Sequence, residues 1–256
     1  MHHSEHAEKM AIEPLYAVVL LTGWILYLAA VFVSSKKHRP WPVYRSFLWS
    51  AGILCIMLAL IGPLANLAHS NFIAHMAGHL LLGMLAPLLL VLAAPITLLL
   101  RTLSVPSARR LARLLKSRIL FYLTHPITAA VLNIGGLWVL YTTDLYVYMH
   151  QNQLIATVVH LHIFLAGYLF TAALIYLDPM PHPFSFVYRS VVWILALAGH
   201  GILSKYIYAN PPNGVSRAEA EAGGMLMYYG GDAIELLIIV ILCAQWYKVT
   251  RPRIVA

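Results

Sequence analysis

Charge is what this chain lacks most. Asp, Glu, Lys and Arg together make up 10% of its 256 residues, while 61% are hydrophobic. Soluble domains carry about 25% charged residues, so an ordinary water-soluble fold is excluded. Cysteine is nearly absent: Cys55 and Cys243 are the only two, both lie in apolar runs, and they form no CxxC pair. That excludes a disulfide framework or thiolate metal cage and leaves two small hydrophobes. No phosphate-binding loop, HExxH helix or nucleophile elbow occurs, so the common hydrolase and nucleotide-dependent chemistries have no residues to run on. A cleavable leader is not read either, because MHHSEHAEKM is polar and the first apolar run is long enough to span. The GxxxG pattern of tight helix dimers is missing from the apolar runs, so a homo-oligomer stays open.

What remains is length in apolar runs. A helical span needs about 20 apolar residues, and seven segments qualify: 15–34, 46–67, 72–100, 126–142, 154–177, 184–208 and 225–247. The third is overlong and contains Pro87 and Pro95. The expectation is an all-α polytopic membrane protein, one transmembrane domain over 1–256, with a polar tail at 1–13 and a basic tail at 248–256. The net charge of +8 then reads as loop charge rather than nucleic-acid affinity. Fourteen of the seventeen basic residues fall on one side, in the first, third and fifth loops and the C-terminal tail, leaving only Lys9, Lys205 and Arg217 opposite. The positive-inside rule places the N-terminus outside and the C-terminus in the cytoplasm. The spaced arginines and leucines of the third loop predict a short amphipathic helix on the anionic inner surface. The histidines His2, His3 and His6 are either a metal-gathering arm or a solvated tail.

Five histidines fall inside spans: His75, His79, His160, His162 and His200. Imidazole is expensive to bury in hydrocarbon, and intramembrane ionisable groups usually mark a working site. At a rise of ~1.5 Å per residue, His75 lies ~6 Å from the outer face, His79, His160 and His200 ~12 Å, His162 ~15 Å and Asp232 ~10 Å. All share the outer half. His75 and His79 are one turn apart on one helical face, whereas His160 and His162 point nearly oppositely, which favours His160 as the inward ring. Interhelical hydrogen bonding is the competing account for each ring alone, but it does not explain the common depth. Asp232 needs a cation, a proton or a partner, and Glu235, one turn deeper, is placed to serve the same end. Met76, Met225 and Met227 near the rim tilt the metal toward Cu(I) over Cu(II), with zinc less favoured.

The third span, HMAGHLLLGMLAPLLLVLAAPITLLLR from His75 to Arg101, resembles the signature segment of membrane-integral CtaG-like cytochrome c oxidase assembly factors, the type associated with caa-type oxidases. His125-Pro126, His160 in HLHIFLAG, Asp178-Pro179, His200 and GGMLMYYGGD (Gly223–Asp232) follow in order, so the resemblance spans about residues 15–250. It implies a multi-pass protein of the bacterial plasma membrane that helps mature haem–copper oxidase, with copper-receiving oxidase subunits as partners. The family positions that map here are His75, His79, His160, His200 and Asp232. The chain departs from the pattern at Ala156 and Val159, where a histidine and an acidic residue are expected, and at Arg217-Ala-Glu-Ala-Glu221 before the last span. Three functions stay open: a non-enzymatic copper chaperone with those five metal ligands, a haem or redox protein with bis-histidine ligation, and a metal-free scaffold for oxidase subunits.

Overall fold

A computed structural model describes residues 2–251, with side chains from Ile12 onward. His2, His3, His6 and Lys9 have no described side chains, and Arg253 lies outside the described residues. Every regular element among the described residues is helical. The chain runs through α1 (His2–Lys37), α2 (Val43–Leu60), α3 (Pro63–Leu67) and α4 (Phe72–Leu80), then a π-helical stretch (Leu81–Leu85), α5 (Ala86–Leu92), α6 (Pro95–Thr102), α7 (Val105–Leu115) and α8 (Arg118–Leu123). It continues with α9 (Pro126–Ala130), a second π-helical stretch (Val131–Gly135), α10 (Gly136–Thr142), α11 (Leu145–Gln151), α12 (Gln153–Leu174), α13 (Phe186–Ala209) and α14 (Arg217–Thr250). Six helices are long and apolar enough to cross a bilayer. The segment from Pro126 to Gln151, bent by 79° between α10 and α11, makes a seventh if taken as one span. The protein is a multi-pass membrane protein.

Six of the seven expected spans are found, the fourth (126–142) qualifying only together with α11, and others change where backbone chemistry intervenes. The third ends at Leu92 rather than near Leu100. Ala94 takes a left-handed φ of 51° and Pro95 opens a separate helix, as a proline at the first helical position does. Pro87 does not break the span. It cannot donate to the Gly83 carbonyl, and the chain just before it widens to π geometry, with Ala86 N–H reaching back to Leu81 O. The last helix starts at Arg217, eight residues before Met225, and the third loop does carry a helix, α7. Five helices start on a side-chain cap: Asn71 accepts from Ala74 N–H, Ser117 from Leu120, Asn152 from Leu154 and Ile155, Ser185 from Tyr188, and Ser216 from Glu219. Ser216 Oγ also donates to Glu219 Oε2 at 2.8 Å, closing a capping box that pins the start of α14.

The two ends of the bundle differ. At the end rich in Lys and Arg, the freed backbone groups of the α5–α6 break are taken up. Tyr27 Oη donates to Ala93 O at 2.9 Å, and Trp41 Nε1 donates to Tyr27 Oη at 3.1 Å. The Asp178 carboxylate accepts from Ile96 N–H, Thr97 N–H and Thr97 Oγ1, capping α6. At the opposite end Tyr16 of α1, the end of α2, the first turn of α4 and the start of α12 line one space, and this is where the histidines sit. Between the ends, α4–α5 packs against α12 at backbone contact: a Cβ on Gly167 would overlap the Gly83 carbonyl oxygen.

Candidate functional site

The structure sorts the intramembrane histidines into two neighbouring groups rather than one. The inner group is His79 on α4, His200 on α13 and Glu235 on α14. All three are at most 6% exposed and line a cavity of ≈ 20 Å³ with Gly83, Met84, Asn133 and Ile134. Those last four residues come from the two π-helical stretches, so both irregularities open onto the same space. Extra residues of this kind inside helices recur at functional sites. The rings of His79 and His200 lie 6.3 Å apart between centroids. His200 Nδ1 stands 3.7 Å from Glu235 Oε1, an ion-pair spacing too long for a hydrogen bond. The α14 backbone can pass this close only because residue 231 is glycine; a Cβ there would press into the His200 ring.

Polar satisfaction is unusual at this cavity. Seven buried side-chain nitrogen or oxygen atoms lack a hydrogen-bond partner among the described residues, and four of them are here: both ring nitrogens of His79, His200 Nε2 and Glu235 Oε2. Native interiors pair nearly all such atoms, because each orphan costs roughly 1–3 kcal/mol.

The outer group surrounds a vestibule of ≈ 60 Å³ lined by His69, His75, His150, His160, Met149 and Tyr16. His75 is buried, and its Nε2 lies 3.1 Å from Tyr141 Oη. The His75 and His150 rings are 5.8 Å apart. His160 lies on the same wall of α12 as Ala156 and Gln153. His162, two residues on, points the other way, as its spacing predicts: it is exposed and its Nε2–H donates to Leu132 O at 3.1 Å.

Asp232 is placed apart from both groups. It is half-buried and lines a lateral groove of ≈ 580 Å³ between α13 and α14, with Lys205, Tyr228 and Glu235. The carboxylate beside His200 is therefore Glu235, not Asp232, because α14 turns residue 235 inward and residue 232 toward the groove. Glu235 lines both the groove and the inner cavity. Of the rim methionines, Met76 and Met227 are fully buried in the apolar core and Met225 is 47% exposed. The methionines that reach the two spaces are Met149 and Met84. Among the described residues no three His, Cys, Asp or Glu side chains converge closely enough to enclose an ion. The five-residue ligand set is thus split among three places: His75 and His160, His79 and His200, and Asp232.

His150 and His69 escaped the sequence reading because both lie outside the apolar runs. The available signal was Tyr146–His150, an i,i+4 pair on a short helix directly before α12.

Comparison with known proteins fits this arrangement to a family. Two uncharacterised proteins, of Mycobacterium bovis and Mycobacterium tuberculosis, are each 30% identical to this chain over 91% of its length and 38% of theirs. One from Mycobacterium leprae is 29% identical over the same shares. The chain therefore spans 38% of the length of the curated relatives it matches. No solved structure matches it. The model of the cytochrome c oxidase caa3 assembly factors matches residues 25–249, from the first span through the last, and the chain belongs to that family.

Proposed function

We propose that this protein is a membrane copper chaperone that delivers copper during maturation of haem–copper cytochrome c oxidase. Copper is its cargo, and the protein is a carrier rather than a catalyst. The single observation behind this reading is the inner cavity: four polar atoms of His79, His200 and Glu235 without partners, facing a space of ≈ 20 Å³. Water needs roughly 10–15 Å³, so the volume suits one ion or one water and nothing larger. Imidazole nitrogens flanked by a carboxylate suit a borderline or soft metal ion, and the thioether of Met84 on the same wall adds a soft donor. A cavity this small has no room for a macrocycle, which disfavours bis-histidine haem ligation; cofactor pockets are typically ~300–1,000 Å³.

The charge bias of the loops supports an N-terminus outside and a cytoplasmic C-terminus, and membership of the oxidase assembly-factor family supports residence in the bacterial plasma membrane. The histidine end then faces outward, where copper would arrive. Glu235, as the wall common to cavity and lateral groove, supports release in the membrane plane toward an oxidase subunit, with Asp232 next along the way. The full set proposed to handle the ion is His75, His79, His160 and His200, with Asp232 and Glu235 assisting. The test replaces His79 and His200 together with alanine in the full chain and measures copper per purified protein. Loss of one bound ion is expected. Unchanged stoichiometry sinks the inner site, and oxidase maturation that survives the double variant leaves the protein as a scaffold.

A further inference from the structure

We infer a second metal station in the vestibule, built on His150 with His75 and His160 and selective for Cu(I). It rests on the reading of the inner cavity as a cargo site and extends it outward. Three observations carry it.

The first is a preset ligand. His150 Nδ1 lies 2.8 Å from the Tyr146 carbonyl. A carbonyl oxygen only accepts, so Nδ1 carries the proton and the neutral ring keeps its lone pair on Nε2. Metal-binding histidines are commonly fixed this way, with the non-ligating N–H held by a backbone carbonyl. His75 has a matching arrangement: its Nε2 is engaged by Tyr141 Oη at 3.1 Å, which leaves Nδ1 as the second nitrogen.

The second is spacing. Two imidazoles that share one ion at ~2.0–2.1 Å per nitrogen hold their ring centres about 6 Å apart. The His75 and His150 centroids are 5.8 Å apart with the planes tilted by 48°. His160 faces the same ≈ 60 Å³ space and makes no hydrogen bond among the described residues, and buried Met149 also lines it.

The third is incompleteness, which selects the metal. Among the described residues no three such groups converge on one ion, so a pair of imidazoles is the core of the station. Zinc in structural sites is enclosed by four converging ligands, whereas the histidines that line this vestibule are spread around its wall. Two or three imidazoles with a thioether nearby suit Cu(I), and an open set lets the ion leave. His75 stands one helical turn, ~6 Å, above His79, so an ion held at the vestibule has its next ligand directly below.

The full chain, purified in detergent, is titrated with Cu(I) against a chromophoric chelator. The wild type is expected to take two ions. His150→Ala and His150→Asn should each take one, held by the inner pair; the asparagine amide stands where Nδ1 did and keeps a donor for the Tyr146 carbonyl, so a loss common to both is not unfolding of α11. Imidazole footprinting of the unmutated protein gives an independent readout, with His150 modified in the metal-free protein and protected by Cu(I). Two ions in both variants, or His150 reactivity indifferent to Cu(I), overturns the outer station. A wild type that binds a single ion, lost with His79 and His200 but not with His150, overturns it and leaves the inner site standing. No bound Cu(I) at all ends both.

Discussion

The two ends of this bundle both bury polar groups in apolar surroundings, but only the histidine end gathers its unpaired atoms around one cavity. At the basic end Asp178 accepts three hydrogen bonds, with the shortest at 2.6 Å, and holds α6 against the α12–α13 connection. Arg189, 2% exposed, donates to the Leu174 carbonyl and lies between the rings of Tyr176 and Phe186, 4.0 and 4.3 Å from their centroids, while its Nε, like Ser34 Oγ and Trp49 Nε1, has no partner among the described residues. These groups work for the architecture. At the histidine end, His79, His200 and Glu235 are as deeply buried and leave four atoms unpaired. Unsatisfied polar atoms are what a fold avoids unless something else completes them. Scattered orphans at the basic end and a cluster of four around one cavity at the histidine end differ in kind, and under the proposed function that difference makes predictions of opposite sign.

The severest break in the comparison is at the seam both ends depend on. Gly167→Ala forces a methyl group into the Gly83 carbonyl and should destabilise by about 3 kcal/mol or more, since backbone cannot yield as a side chain does. Loss of a monodisperse species in gel filtration would report it, and a variant as stable as wild type would contradict the packing. Asp178→Ala should follow at about 2–3 kcal/mol, the loss of a charged cap, lowering the thermal midpoint while copper binding persists. Glu235→Leu should do the reverse. Removing a buried carboxylate whose Oε2 has no partner should leave stability unchanged or raise it by about 1–2 kcal/mol, while copper retention falls. A Glu235→Leu variant that melts earlier would place Glu235 with the architectural groups. Tyr141→Phe, which releases His75 Nε2, should weaken Cu(I) binding by about tenfold with little change in melting, read in a chelator competition. Smallest of all is His162→Ala. It removes one exposed bond to Leu132 O, worth about 0.6 kcal/mol in membrane helices, and should leave copper stoichiometry untouched.

Much of this was legible in the sequence, for physical reasons. Hydropathy finds spans because hydrocarbon tolerates only closed backbone hydrogen bonding, so run length translates directly into helices. Pro95 announced the end of the third span. The division of His160 from His162 followed from helical angle alone. Other features had no sequence signature. The π-helical stretch at Val131–Gly135 has no proline in the turn that follows it, unlike Leu81–Leu85 before Pro87, and periodicity reveals neither. The choice of Glu235 over Asp232 depends on the roll of α14, which three residues change by most of a turn. His150 was hidden because it belongs to a short helix outside every apolar run, so a search confined to buried histidines passed over it. The separation into two cavities is tertiary: depth brought five groups to one level but carried no information on lateral position.

The contact between Gly83 and Gly167 has a kinetic consequence. Where two helices touch backbone to backbone, neither can slide or rotate against the other without steric overlap, so the spacing between α4 and α12 is set by main chain rather than by interdigitated side chains. Exchange of an ion between His75, His79, His160 and their neighbours then proceeds by rotation about side-chain torsions within a stationary frame. Such rotations take picoseconds to nanoseconds when unhindered, against microseconds to milliseconds for collective helix movement. Under the proposed function, a protein keyed in this way would pass its cargo on without changing shape, and the arrival of the acceptor would set the rate.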